Sequence, residues 1–408
     1  MAAFKKSVED ATTPDEDGNR QILAVVAMGF RSDGHTCLDV DSPIVTPRSV
    51  FALASCTKLL TAIAALRYVE RGMLALDDAT AIEKHIPELC AQGILCPDSS
   101  SNDSTKSPQV VNRKKPITLH ALLTHTSGSA YDILAPPLIA WRTSRGEVPQ
   151  ALSGAPLPGA LATPLLFEPG TAWSYGGGLD WVGLLLERIA RKSLGEVLQE
   201  EVFDVVGFSD YADFEVPPPA GKGHGNGALV QCVKRNEETG KLSAFPMVVQ
   251  QSQRGGGGLY GSAEDFCKVL QDVVGAESRL LGKETVSVLF GAQLAGDADA
   301  GALASLRGQA HVFRSMMGAL LPQASADSED SLSLGINHSI GGLLVDGAEL
   351  GGKKRGPVMT WGGAFNCLWF ASREEEIAGF YASSQFPPGE AKSAELMGEF
   401  VREVWAGV

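Results

Sequence analysis

The sequence has neither an excess of basic residues nor a long apolar run. Lysine and arginine number 34 against 48 aspartate and glutamate residues, which gives a formal net charge of −14. A surface that binds nucleic-acid phosphates or an anionic membrane needs the opposite balance. No stretch reaches the roughly 18 apolar residues of a membrane-spanning helix. The composition therefore argues against a nucleic-acid-binding protein and against an integral membrane protein.

Cysteine is sparse and irregularly spaced. There are seven cysteines, an odd number at scattered positions, which does not make a disulfide framework. Cys90 and Cys96 are close enough in sequence to pair, but no feature requires it. The first residues also lack the apolar core of a signal peptide. These features predict reduced thiols in a cytoplasmic protein.

Metal-binding and phosphate-binding patterns are missing too. His120 and His125 are five residues apart rather than four, and no acidic third ligand accompanies them. The glycine run at 255–258 lacks the order of a phosphate-binding loop, so it indicates a flexible turn beside a cleft. We therefore expect neither a metal nor a cofactor.

Strand patterns lie near both ends of the 408 residues, with helical patterns between them. This order predicts an α+β fold: an antiparallel sheet flanked by terminal helices, with a mostly helical domain inserted. The sheet domain would comprise residues 1–80 and 255–408, the helical domain 81–254, and an active site would lie at their interface. Strands are expected at 22–30, 36–40, 341–345, 358–361, 366–371 and 377–381.

Helical patterns and two irregular segments complete the predicted organisation. Residues 98–115 read as a polar surface loop, and 131–166 as a loop-rich lid or binding surface. Helices are expected at 55–71, 118–125, 179–190, 263–274 and 394–405, with Ser262 as the N-cap of the fourth.

The strongest chemical signal is a serine followed three residues later by a lysine, at the start of a helical segment. Ser55 and Lys58 would share one face of that helix, so the hydroxyl and the amine can meet. Backbone N–H groups at a helix start can also hold an oxyanion. The alternatives are a serine N-cap with a solvated lysine, or Cys56 as the nucleophile, although a buried packing role fits that thiol better.

Tyr175 is the second candidate, because it precedes three glycines and a helix. A phenol is a poor base unless a cation stabilises its phenolate, and Lys58 can supply that cation. Together they could take the proton of Ser55. The alternative is a tyrosine that only packs at a helix start.

A third candidate is formed by Trp361, Gly362 and Gly363 on a late strand. Glycine inside a strand often marks the close approach of a ligand or another backbone. An edge strand of this kind can supply the second N–H group of an oxyanion hole. The alternative is a simple glycine bulge.

The three motifs, in this order, resemble the serine β-lactamase-like superfamily. The similar branches are class C β-lactamases, family VIII esterases and, above all, fungal acyltransferases of the lovastatin type. A Leu-Leu-Thr-His-Thr-Ser-Gly stretch at 122–128 belongs to the same resemblance. It implies a β-lactamase/transpeptidase-like fold.

The resemblance also implies roles for individual residues. Ser55 would be the acylated nucleophile, Lys58 and Tyr175 the general-base pair, and the N–H groups of Ser55 and Ala364 the oxyanion hole. The substrate would be contacted by residues of the second and third motifs and by one further tyrosine. These substrate-binding residues are Trp173, Tyr260, Trp361, Gly362 and Gly363.

Two departures separate the chain from the β-lactamases. Gly177 stands where class C enzymes have the asparagine of Tyr-x-Asn, and Trp361 begins the motif that replaces their Lys-Thr-Gly strand. The missing lysine removes a charge that would hold a lactam carboxylate.

The predicted function is therefore transfer of an acyl group from an ester or thioester to an alcohol of a small, natural-product acceptor. An acyl carrier domain of a polyketide synthase is a possible donor. An esterase with the same residues is the main alternative. A β-lactamase, or a non-acylating protein that kept the fold, is a weaker one.

Overall fold

A seven-stranded antiparallel sheet forms the centre of the molecule. In a computed structural model of the chain, residues 1–96, 108–209, 211–217, 229–321 and 335–407 are described. The strands in chain order are β1 (Val25–Arg31), β2 (Thr36–Asp41), β3 (Val50–Ala52), β4 (Ile94–Cys96), β5 (Gln109–Val111), β6 (Val233–Arg235), β7 (Leu242–Ala244), β8 (Tyr260–Ser262), β9 (Ile336–His338), β10 (Leu343–Val345), β11 (Glu349–Leu350), β12 (Lys353–Lys354), β13 (Val358–Gly363), β14 (Cys367–Ser372), β15 (Ile377–Ser383) and β16 (Gln385–Phe386). The sheet order is β2-β1-β15-β14-β13-β10-β9, so strands from both ends of the chain lie side by side.

The helices cover the sheet or lie in the long middle of the chain. They are α1 (Ala2–Thr12), α2 (Thr57–Glu70), α3 (Thr80–His85), α4 (Pro87–Cys90), α5 (Leu119–Leu123), α6 (Pro136–Ser144), α7 (Gly178–Ala190), α8 (Leu194–Leu198), α9 (Asp204–Val206), α10 (Ala263–Val274), α11 (Lys283–Phe290), α12 (Ala300–Gly308), α13 (Ala310–Met317) and α14 (Ala391–Ala406). Among the described helices, none is both long and apolar enough to cross a lipid bilayer.

Helices cover the two faces of the sheet. Successive residues of a strand point to opposite faces. Phe380 of β15 stacks on Phe266 of α10 at 4.6 Å between ring centroids, whereas Tyr381 contacts Phe400 of α14 at 6.0 Å. Both faces are thus buried, so every residue of β13, β14 and β15 is buried rather than every second one.

The α+β class is confirmed, and the shifts at element ends have local causes. β1 begins three residues later than predicted because the N–H of Ile22 donates to the carbonyl of Ala11, at the end of α1. α14 begins three residues earlier than predicted because the carboxylate of Glu390 caps it, accepting from the N–H of Ser393 at 2.9 Å. Helix 263–274 has the predicted ends, and Ser262 accepts from the N–H of Asp265 as its N-cap.

Two segments predicted to be irregular contain regular structure. In the 98–115 segment, residues 98–107 lie outside the described part of the chain, and β5 pairs antiparallel with β4. The 131–166 segment contains α6 and a 3₁₀ turn, Gly159–Leu161. The division into two domains at 80/81 and 254/255 stays a proposal.

A buried carboxylate organises the 131–166 segment. Asp132 accepts hydrogen bonds from Arg142 Nε at 3.0 Å and from the N–H groups of Gln150 and Ala151 at 2.8 and 3.0 Å. Hydrogen bonds of this number offset the cost of burying the ion pair. The network fixes the start of the segment, where Tyr131 lies.

We predict that Phe400→Ala lowers the free energy of unfolding by about 3–5 kcal/mol, the usual cost of a large cavity in a packed core. The ring is fully buried and contacts Phe4, Phe370 and Tyr381. Urea unfolding measures the loss. Glu395→Ala, an exposed change on the same helix, should stay within about 0.5 kcal/mol of wild type. Equal losses in both variants would contradict the packing assigned to α14.

Candidate active site

Ser55 lies in a tight turn that joins β3 to α2. The turn is a 3₁₀ helix, Ala54–Cys56, rather than the first turn of the α-helix itself. Ala54 has φ of +45°, which is unusual for a residue with a side chain. The Thr57 hydroxyl donates to the Ala54 carbonyl at 2.6 Å, and the N–H of Leu53 donates to Leu259 at 3.0 Å. These bonds hold the strained turn that presents Ser55.

The structure brings Ser55, Lys58 and Tyr175 together. Ser55 Oγ is 2.7 Å from the Tyr175 hydroxyl and 3.4 Å from Lys58 Nζ. The same Nζ lies 4.7 Å from the centre of the Tyr175 ring. The cation is therefore near enough to stabilise a phenolate, as the sequence suggested. Their catalytic roles stay predictions.

Sequence reasoning missed Asp180, and it missed Tyr131, whose hydroxyl contacts Lys58. Its amine donates to the carbonyl of Gly256 and, at 3.4 Å, to the hydroxyl of Tyr131. Tyr131 donates to Asp180 Oδ2 at 2.7 Å, and Asp180 Oδ1 accepts from the N–H of Gly256 at 2.9 Å. Of the two, only Asp180 had a signal in the sequence, since it is the acidic residue in the first turn of the helix after Tyr175.

The glycine run at 255–258 forms a turn beside the site, as predicted, and its first two glycines are also packing positions. Gly255 and Gly256 are buried, and a Cβ on Gly256 would lie 2.7 Å from both the Asp180 carboxylate and the Tyr131 hydroxyl. Gly176 after Tyr175 has the same restriction, since a Cβ there would lie 2.0 Å from the carbonyl of Ser129. Glycine is required at these positions because backbones approach each other closely.

The third motif forms the end of β13. This strand is interior, between β14 and β10, and not the edge strand that was expected. Its pairing with β10 ends at Thr360, so Gly362 and Gly363 pair with β14 alone. A Cβ on Gly363 would lie 2.5 Å from the carbonyl of Leu53. The strand end therefore meets the Ser55 turn, and Ala364 follows directly.

The predicted substrate-binding residues occupy three different surroundings. Trp361 packs against Tyr175, with ring centroids 5.2 Å apart. Trp173 is buried behind His125, at 5.8 Å. Tyr260 lies on β8, which pairs with β3, in a small apolar cluster with Phe365. Trp361 is thus the tryptophan beside the reacting groups.

Two buried histidines line the site from behind. His125 packs on Tyr175 at 5.0 Å and on His338 at 5.6 Å. Burial lowers the pKa of His125 well below its ordinary value, and burial also lowers the pKa of His338 to about 4. His338 Nδ1 donates to the carbonyl of Ser339 at 2.5 Å, so the uncharged ring leaves Nε2 as an acceptor. Both imidazoles are neutral at pH 7.

Other chemical candidates are not supported by the structure. Cys56 is buried, and burial raises the pKa of its thiol well above the ordinary value, so it is a poor nucleophile. Within the described ranges, histidine, cysteine and acidic side chains form no group of three that could hold a metal ion.

The chain is similar to known proteins over nearly its whole length. A family model described as beta-lactamase matches residues 16–401. The acyltransferase calJ of Penicillium decumbens is 31% identical over 88% of this chain and 81% of its own. A lovastatin esterase of Penicillium rubens is 30% identical over 87% of this chain and 85% of its own.

A solved structure extends the comparison. The LovD6 mutant of simvastatin synthase from Aspergillus terreus has a TM-score of 0.80 and 25% identity, covering 99% of this chain and 96% of that one. Together with the family match, it confirms the predicted β-lactamase/transpeptidase-like fold.

We predict that His338 makes stability fall on acidification. Its pKa is about 4 in the folded state against 6.5 for the free side chain, so the unfolded chain binds the proton first. Stability is therefore complete above pH 6.5 and is lost as the pH falls toward 4. Between pH 7 and pH 5 this histidine alone lowers the free energy of unfolding by about 2 kcal/mol.

Urea unfolding of wild type and His338→Asn at the two pH values measures this contribution. The variant should lose about 2 kcal/mol less than wild type on acidification. His35→Asn, an exposed histidine beside β2, serves as the matched control and should retain the wild-type difference. The same difference in all three proteins would contradict the assignment.

Proposed function

The chain belongs to the beta-lactamase family and is an enzyme of its acyltransferase and esterase type, and we propose that it transfers acyl groups through an ester on Ser55. The observation that carries this proposal is the contact of the Ser55 hydroxyl with both Tyr175 and Lys58, at 2.7 and 3.4 Å. A serine at these distances from two proton acceptors has the arrangement of an activated nucleophile.

The first step acylates the enzyme. Ser55 Oγ attacks the carbonyl carbon of an ester or thioester, and its proton passes to the Lys58 and Tyr175 pair. The N–H groups of Ser55 and Ala364 hold the oxyanion of the tetrahedral intermediate. The intermediate collapses, the bond to the leaving alcohol or thiol breaks, and that group takes the proton.

The second step reverses the first with a new alcohol. The pair now accepts the proton of the acceptor hydroxyl, whose oxygen attacks the acyl-serine carbonyl. Collapse of the second tetrahedral intermediate releases the new ester and returns the proton to Ser55. Water in place of the alcohol would give hydrolysis.

The acceptor that fits this proposal is a small, largely apolar natural product with a hydroxyl group. The names of two similar proteins, simvastatin synthase and lovastatin esterase, refer to simvastatin and lovastatin as the compounds on which they act. Trp361 would contact the substrate, with Gly362, Gly363, Trp173 and Tyr260 as further contacts.

The proposal also includes an acyl carrier domain as the donor and a cytoplasmic location for the enzyme. The seven cysteines are all unpaired, which is compatible with that location.

We predict that Ser55→Ala abolishes covalent labelling by an activated acyl ester, because alanine has no hydroxyl group to carry the acyl group. Intact-protein mass spectrometry after reaction with p-nitrophenyl butyrate measures the adduct. Ser174→Ala, a half-buried serine beside Tyr175, is the matched control and should label like wild type. Undiminished labelling of the Ser55 variant would contradict the proposal.

Hydrolysis is the second candidate, and the similarity to a lovastatin esterase favours it. We predict that a bulky, apolar alcohol diverts most of the acyl-enzyme to a new ester, since transfer and hydrolysis differ in how well the occupied site excludes water. Chromatography of the products with and without the alcohol measures the partition. Free acid as the dominant product at saturating alcohol would favour the esterase instead.

A further inference from the structure

Lys58 is an almost wholly buried amine, so each of its hydrogens needs an acceptor. The structure gives it three oxygen partners: the carbonyl of Gly256, the hydroxyl of Tyr131 and the hydroxyl of Ser55. A carbonyl can only accept, but each hydroxyl can either donate or accept. The direction of the two hydrogen bonds with hydroxyl groups therefore decides whether Lys58 can accept the proton of Ser55.

Asp180 determines the direction for Tyr131. A carboxylate only accepts, and its Oδ2 takes the single hydroxyl proton of Tyr131 at 2.7 Å. The tyrosine oxygen then has only lone pairs to offer to Lys58. Burial, and after it the charge of Asp180, raises the pKa of Tyr131 well above its ordinary value, so the phenol keeps the proton that it donates.

The neutral lysine amine has two hydrogens and one lone pair. With Gly256 and Tyr131 both restricted to accepting, the two hydrogens are taken and the lone pair is left for the third partner, Ser55. When the amine is protonated, its third hydrogen points to the same place. Of the three partners, only Ser55 can change from donor to acceptor as Lys58 gains a proton.

We propose that Asp180 is a positioning residue that fixes Tyr131 as an acceptor and thereby directs the lone pair of Lys58 at Ser55. This inference rests on the proposed function, because it concerns how Ser55 is deprotonated. Asp180 does not touch the reacting atoms and acts through its two hydrogen bonds.

The surroundings of Asp180 suit a buried carboxylate. It lies in the first turn of α7, where the helix dipole favours negative charge, and its Oδ1 accepts from the N–H of Gly256 at 2.9 Å. Gly256 thus bonds to Asp180 through its N–H and to Lys58 through its carbonyl. The carboxylate holds both neighbours of the amine with one group.

The substitution Asp180→Asn keeps the shape of the side chain but replaces one accepting oxygen with a donating NH₂ group. The N–H of Gly256 still needs an oxygen, so the new amide NH₂ faces Tyr131 and donates to it. The hydroxyl proton of Tyr131 then turns toward Lys58 and competes with Ser55 for the lone pair. We expect the rate constant of acylation to fall about 10- to 100-fold, at the lower end of general-base effects, with the apparent Kd for the ester within about threefold.

Stopped-flow release of p-nitrophenolate from p-nitrophenyl butyrate gives both constants for the full-length enzyme. Asp272→Asn is the matched control, a buried carboxylate that accepts from the N–H groups of Arg279 and Leu280 at the end of α10. It should lower the melting temperature yet leave the acylation rate within about twofold of wild type.

Tyr131→Phe gives an independent test that leaves Asp180 in place, and it should also slow acylation. In the double variant, Asp180→Asn should cost much less than it does alone, because the group through which it acts is gone. A wild-type rate in either folded single variant, or equal costs of Asp180→Asn with and without Tyr131, would overturn the inference. If the wild-type enzyme itself shows no rapid first phase of p-nitrophenolate release, the proposed function is overturned instead.

Discussion

The buried amine of Lys58 links the parts of the chain that form the site. A lysine in a nearly dry interior is costly unless acceptors surround it. Its acceptors come from the turn before α2, from residue 131 and from residue 256, which is 198 positions away in sequence. Because one group must be satisfied by all three segments, their relative positions are fixed to within hydrogen-bond distance.

The buried glycines of the site are required because the segments around Lys58 must approach one another closely. The backbone of 255–256 has to reach α7 and the lysine at once, and a side chain on Gly256 would fill the space of the Asp180 and Tyr131 oxygens. Gly176 and Gly178 let the segment after Tyr175 approach the carbonyls of Ser129 and Leu122. Small residues here are a condition for bringing Tyr175 to Ser55, and not a sign of flexibility.

Local patterns explain why the sequence predicted some of the site and missed the rest. The spacing of Ser55 and Lys58 is a property of one helix, and the strands and helices likewise carry their periodicity within a few residues. Tyr131 and Asp180, by contrast, are 49 residues apart and meet only in the folded chain. The interior place of β13 was missed for a similar reason, since sheet order depends on pairing between distant strands.

The charges around Ser55 also bear on which substrates suit the site. Burial keeps His125 and His338 neutral, and the hydrogens of Lys58 point to oxygens of the protein. Neither the two imidazoles nor the amine is offered to an incoming carboxylate, and Trp361 packs against Tyr175 beside them. In the proposed function, contact with the aromatic surface of Trp361 and Tyr175 supplies binding energy for the apolar part of a substrate. An apolar substrate that covers Trp361 and Tyr175 also displaces water from beside the acyl-serine. The same surface that selects such an acceptor therefore favours transfer over hydrolysis.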